Sequence, residues 1–271
     1  MHPILFDLGP LPIGTYGLIL IVGFWAGSLL ARHLGVRDGH PPDFISDLTF
    51  ALLISGVLGA KILLVVVGLL TPLGEAGAIT FEEAFSLSTL RAGGVVHGAV
   101  IAGVGVFIWK VRKMNFDQVA SIGDALVGGL SLGQGIGRWG CLMAGCCFGT
   151  PSDSPFAIIF TNPLAALYAG TPLDIALHPT QLYASLSNFL ILGILLWAWP
   201  RRQFKGQLFA AYFILEGVGR FVIETWRGDL ARGTWWNVEG LSTGRLTALL
   251  FILFGLSVWL YGRNRLRKNP S

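Results

Sequence analysis

Long apolar stretches separated by short polar ones dominate the chain. Seven of them approach the roughly 20 mostly apolar residues that a membrane-spanning helix needs. They are Ile13–Leu34, Ile45–Leu70, Gly93–Trp109, Val119–Trp139, Gln181–Trp199, Gln207–Ile223 and Thr243–Tyr261. The pattern predicts an all-α integral membrane protein of about seven transmembrane helices. The fourth stretch is rich in glycine, yet Gly129, Gly133 and Gly137 recur at every fourth position. That spacing puts three small residues on one helix face, where a neighbouring helix can come close. The longest connection, residues 140–178, holds Pro151, Pro155, Pro163 and Pro172 and no Lys or Arg. It predicts an ordered extramembrane segment between spans four and five. Its pieces Phe156–Phe160 and Leu164–Tyr168 are apolar enough to dock on a membrane surface. No internal repeat is visible, so residues 1–271 read as a single polytopic membrane domain.

Composition agrees with the pattern. Hydrophobic residues make up 53% of the chain and charged ones 13%, against roughly 25% charged in soluble domains. The net charge of +4 does not point to nucleic acid, because the basic residues sit in short loops and at the C-terminus. The first Lys or Arg is Arg32, so no signal-peptide n-region is expected. With the N-terminus outside, twelve Lys and Arg fall in inner loops and four (Arg91, Arg227, Arg232, Arg245) in outer ones. The positive-inside rule then predicts an external N-terminus, a cytoplasmic C-terminus, and residues 140–178 on the outer side of the membrane.

Direction gives each polar residue a depth. An ionisable group within a span is costly and marks a functional candidate. His97 opens span three. Gln134 and Arg138 close span four. His178, Gln181 and Tyr183 stand at the entry to span five. Glu216, Arg220 and Glu224 close span six, Arg227 follows it, and Tyr16 begins span one. All of these fall at the outer level; Lys61 lies in the outer half of span two, and Asp124, near the inner end of span four, is the exception. Singly, each has an ordinary reading as a snorkelling anchor, a turn residue or part of an aromatic belt. Together they describe a polar pocket open to the outer leaflet. Two arginines at that depth suit a phosphate, which guanidinium meets with a planar fork of donors. The pairs Arg220/Glu224 and Gln134/Arg138 are each four residues apart and share a helix face. His97 and His178 are suited to moving protons near neutral pH.

The three cysteines, Cys141, Cys146 and Cys147, fall within seven residues just after Arg138. Three readings stand: small packing residues in a tight turn, a disulfide from Cys141 to one of the other two, or a reactive or metal-binding group. The usual zinc spacing and the Cys-x-x-Cys redox spacing are both absent.

The motifs resemble those of the bacterial prolipoprotein diacylglyceryl transferases. The match runs through His2-Pro3, Leu8-Gly9-Pro10, Tyr16-Gly17, Gly93-Gly94-Val95-Val96-His97-Gly98, Gly135-Ile136-Gly137-Arg138, His178-Pro179-Thr180-Gln181-Leu182-Tyr183 and Gly219-Arg220-Phe221-Val222-Ile223-Glu224 with Arg227. The resemblance implies transfer of a diacylglyceryl group from phosphatidylglycerol to the thiol of a lipobox cysteine in a prolipoprotein signal peptide, with release of glycerol phosphate. No cofactor is implied, because the leaving group is already activated. By position, His97, Arg138, Arg220 and Glu224 correspond to the family's catalytic residues. Tyr16, Gln134, Arg138, His178, Gln181, Tyr183 and Arg227 correspond to its substrate-binding ones. This chain departs from the family at Cys141, Ala144 and Cys146, where Asn, Asn and Glu are usual, and at Ala99 and Ala184, where Gly and Glu are usual. The departures keep two alternatives open: a divergent paralogue with another lipid donor or acceptor, and a non-enzymatic anion transporter or redox membrane protein.

Overall fold

The computed structural model describes residues 4–6, 13–71, 79–84, 86, 94–228 and 242–268. The motif residues His2, Pro3, Leu8, Gly9, Pro10 and Gly93, and the loop arginines Arg91 and Arg232, lie outside the described residues. Five helices are long and apolar enough to cross a membrane. They are α1 (Thr15–Arg37), α2 (Pro42–Leu70), α5 (Phe116–Ala144), α7 (Thr180–Ala198, continued by a 3-10 turn to Arg201) and α9 (Thr243–Lys268). The other two expected spans form shorter helices, α4 (Val96–Val111, 16 residues) and α8 (Gln207–Ile223, 17 residues). Short helices α3 (Phe81–Ala84) and α6 (Pro163–Ala169) fall in connections. The all-α expectation needs one addition: two small antiparallel ribbons, β1 (Ile4–Phe6) with β2 (Ile13–Gly14), and β3 (Ile158–Ile159) with β4 (Ala176–Leu177).

Capping explains where the helices depart from the apolar stretches. Helix α5 begins three residues before the expected Val119, because Asn115 and Gln118 exchange hydrogen bonds between side chain and backbone at 2.9 and 3.1 Å. Helix α2 starts at Pro42, whose missing N–H costs nothing at a first helical position. Helix α9 runs seven residues past Tyr261 and ends in Arg265, Arg267 and Lys268, which favour the negative end of its dipole.

The chain divides into two compact units, Met1–Gly39 with Ala120–Ser271, and His40–Val119. In the smaller one, α2 packs on α4 where Gly59 faces Gly98; a β-carbon on either would overlap the other's carbonyl. In the larger one, α5 is the central helix. Fully 56% of its most apolar window is buried, the highest share among the five long helices, and its mean hydropathy of 1.2 is the lowest. The glycine face accounts for this: a β-carbon on Gly27 of α1 would stand 2.5 Å from the Gly129 carbonyl, and one on Gly23 would stand 2.8 Å from that of Gly133. Backbone meets backbone along this seam, as small-residue faces allow.

Asp124, the polar residue at the wrong depth, caps a helix in trans. Its carboxylate accepts the amides of Gly206 and Phe209 at 2.9 and 2.8 Å, at the start of α8. Arg202 bridges Asp124 and Asp38, Lys205 reaches Asp38 at 3.2 Å, and Ser121 donates to Asp38 at 2.5 Å. Burial pushes the Asp38 carboxyl up, but hydrogen bonds from Arg202 and Ser121 outweigh it and hold it below the ordinary carboxylate range. The network ties the end of α1, the first third of α5 and the start of α8 together.

Candidate functional site

The segment after α5 is held by its own small core of Leu142, Phe148, Phe160 and Leu177. Asn162 caps α6, and Gly170 ends it in the left-handed conformation. Residues 148–151 are threaded between two other pieces of chain. Gly149 donates to the His178 carbonyl at 3.1 Å, His178 to Thr150 at 2.9 Å, Thr150 to Trp226 at 2.9 Å, and Gly228 to Phe148 at 3.2 Å. A β-carbon on Gly149 would lie 2.6 Å from His178 and 2.7 Å from the Trp226 carbonyl, so only glycine fits there. The segment carrying His178, the loop carrying Arg227 and the turn carrying the cysteines therefore form one braided unit.

Beside this braid lies an open cleft. Its walls carry Arg138 from α5, Ser187 and Asn188 from α7, Glu216 and Arg220 from α8, and Glu224 and Arg227 just beyond α8. Three arginines face two glutamates, which leaves one formal positive charge. Helices α7 and α8 approach closely at this point: a β-carbon on Gly219 would stand 2.5 Å from the Ser187 hydroxyl. Glu216 is 8% exposed and feels the charges of Arg138 and Arg220. Behind it, the fully buried Tyr212 donates to Gln134 at 3.3 Å. Glu224 accepts a hydrogen bond from Ser242 at 2.7 Å, and Ser242 in turn accepts from the amide of Arg245 at 3.1 Å. The Glu224 carboxylate thus rests on the amino end of α9, where a helix dipole favours negative charge.

Of the residues singled out in the sequence, Arg138, Arg220, Glu224 and Arg227 line the cleft together. Gln134 stands behind it through Tyr212. Gln181 is 1% exposed and donates to the Cys146 carbonyl at 2.8 Å; its neighbour Thr180 donates to that of Cys147 at 2.6 Å. Gln181 is a clamp on the cysteine turn rather than part of the cleft wall. His178 and Tyr183 meet at 3.2 Å and share a ring cluster with Trp226. Tyr16 lies over Gly140 at the start of α1. His97 belongs to the smaller unit, where it is exposed on the first turn of α4. The sequence places Glu216 at the outer level without giving it a role, and it does not single out Ser187, Asn188 or Ser242. The place of Glu216 was legible, because Glu216 and Arg220 stand four residues apart on α8 and Glu224 follows at the same spacing just past its end.

The three cysteines are free thiols, Cys141 buried and the others half-buried. No disulfide joins them. Their sulfurs all lie within 4.8 Å of one another. Hydrogen bonds from Cys141 and Cys146 hold the Cys147 thiol well below the ordinary thiol range, and Arg227 and Arg138 add to this.

These features define a helical membrane protein with a cleft lined by three arginines and two glutamates. A family model for prolipoprotein diacylglyceryl transferase matches residues 3–261. The phosphatidylglycerol–prolipoprotein diacylglyceryl transferase of Clostridium tetani is 35% identical over 98% of this chain and 99% of its own length. A second such enzyme from Clostridium perfringens is 33% identical over 98% and 97%, and one from Staphylococcus aureus is 30% identical over 100% and 91%. The chain belongs to the prolipoprotein diacylglyceryl transferase family, multi-pass membrane transferases of lipoprotein biosynthesis.

Proposed function

We propose that this protein transfers the diacylglyceryl group of phosphatidylglycerol to the thiol of a lipobox cysteine in a prolipoprotein signal peptide. It does so in the bacterial cytoplasmic membrane as a single seven-span domain, with its N-terminus outside and its C-terminus in the cytoplasm. The cleft holding Arg138, Arg220 and Arg227 together carries this reading.

The thiol loses its proton and its sulfur attacks the glyceryl carbon that bears the phosphate ester. A C–S bond forms as the C–O bond breaks, and glycerol phosphate leaves with the electron pair. The growing charge on phosphate is the part a protein stabilises best with fixed donors. Arg138, Arg220 and Arg227 supply those donors, and Glu216 and Glu224 hold the guanidinium groups in place. His97 is assigned to proton transfer through the sequence resemblance. Tyr16, His178, Gln181 and Tyr183 are substrate-binding residues on the same ground, with Gln181 acting through the turn that it clamps.

The test is transfer of labelled diacylglycerol from phosphatidylglycerol to a lipobox peptide by membranes containing the chain. Folded protein that transfers nothing, beside an active relative, overturns the reading. Arg220→Ala and His97→Ala should each abolish transfer. The cysteines standing where the family carries Asn and Glu favour a second reading, the same chemistry with another donor or acceptor. Rescue of a strain depleted of its own transferase separates the two.

A further inference from the structure

We propose that Cys141, Cys146 and Cys147 form a three-thiolate site for a soft monovalent metal ion, with Cu(I) as the type case. The proposal goes beyond the transferase reading and does not depend on it.

All three cysteines of the chain fall within seven residues, and their sulfurs already lie within 4.8 Å of one another. A trigonal ion with metal–sulfur bonds near 2.3 Å needs sulfurs about 4 Å apart, so closing the site takes less than about 1 Å of movement. Cys141 comes from the last turn of α5, and the other two come from the turn that follows. The turn is held in an unusual shape. Cys147 has φ of 62°, a left-handed conformation rare for a side chain of its kind. Gly145, at φ 83°, makes the reversal, and a β-carbon there would meet Ala165 at 2.6 Å. The carbonyls of Cys146 and Cys147 are pinned by the buried Gln181 and Thr180. Strain of this kind persists only where surrounding contacts impose it, and here it accompanies three sulfurs within 4.8 Å of one another.

The donor set selects the ion. Thiolates prefer soft metals such as Cu(I) and Zn(II). Zn(II) structural sites take four protein ligands, and this cluster offers three. The charges of Arg138 and Arg227 act at the turn and offset the net negative charge of a three-thiolate complex. A disulfide is the competing fate. Neighbouring Cα atoms are about 3.8 Å apart, short of the roughly 4.4–6.8 Å that disulfides span, so Cys146 and Cys147 do not readily pair with each other.

The test uses the full-length protein in detergent, reduced and kept anaerobic, titrated with Cu(I) against a chromogenic chelator. The expected result is one ion per chain, affinity at least tenfold weaker in each of C141S, C146S and C147S, and no stoichiometric binding in the triple variant. Cd(II) should give a thiolate charge-transfer band in the wild type and none in the triple variant. Circular dichroism and size exclusion check that the variants are folded. The proposal fails if the reduced wild type takes up no ion, if the triple serine variant binds as much, or if one cysteine is dispensable. It fails equally if a Cys141 disulfide forms in preference to ion binding.

Discussion

The carboxylate of Glu224 occupies the space that a β-carbon on Gly244 would need. Glycine at the first turn of α9 therefore sets the position of an acidic residue in the cleft wall. Gly244→Ala should push Glu224 off Ser242 and away from its place in the cleft. A misplaced hydrogen bond to a charged group costs roughly 1.5–3 kcal/mol, which is about 10- to 100-fold in rate. The transfer rate should fall by that factor while the melting temperature changes little. Ser242→Ala, which removes the same hydrogen bond without crowding, should fall in the same direction and less far. Wild-type rates in both variants would remove Glu224 from the mechanism.

The glycine stripe and the polar level were legible in the sequence because both depend on spacing within a single helix. Gly129 and Gly133 announced a close helix contact, and Arg220 and Glu224 announced a shared face. What faced them was not legible. Gly23 and Gly27 lie more than a hundred residues from their partners, and Ser242 reaches Glu224 from another element. Asp124 looked like an isolated charge because its partners are backbone amides of Gly206 and Phe209, which no side-chain pattern records. The resemblance assigns Gln181 to substrate binding, and the sequence gives no sign that its amide nitrogen donates to the Cys146 carbonyl on another element. Helix ends shifted wherever capping residues such as Asn115 lay outside the apolar run.

Arginine should not be replaceable by lysine in the cleft. A guanidinium offers two parallel donors to a phosphate and lysine offers a point charge. Arg220→Lys and Arg138→Lys should keep the net charge yet lose most of the transfer activity, with kcat reduced more than KM rises. Loss in KM alone would place these residues in ground-state binding rather than in stabilising the departing phosphate.

Gly27→Val and Gly129→Val should each separate α1 from α5. Overpacking typically costs about 1–3 kcal/mol, and here the obstruction is backbone carbonyl rather than a flexible side chain. Thermal melting in detergent should fall for both. Gly103→Val, at a glycine with open space around it, is the control and should melt like the wild type.

The Asp38–Arg202–Asp124 network should give the fold an acid-sensitive limb. The Asp38 carboxyl titrates below its ordinary value of 3.8 in the folded chain. A group whose folded value is depressed contributes stability that is present above the unfolded value and disappears as pH falls through the folded one. Melting temperature should therefore hold steady above the ordinary carboxylate range and drop as pH falls below 3.8. Asp38→Asn should start lower and show a flatter acid limb. Asp124→Ala is the more severe change, because it leaves Arg202 without one of its two carboxylates and strips the amides of Gly206 and Phe209 of their acceptor. Removing one member of a buried pair costs about 3–5 kcal/mol. Asp124→Asn keeps one acceptor oxygen for the start of α8 and should lose less. An Asp38→Asn protein whose melting temperature tracks the wild type across the acid range would show that Arg202 and Lys205 draw their stability from elsewhere.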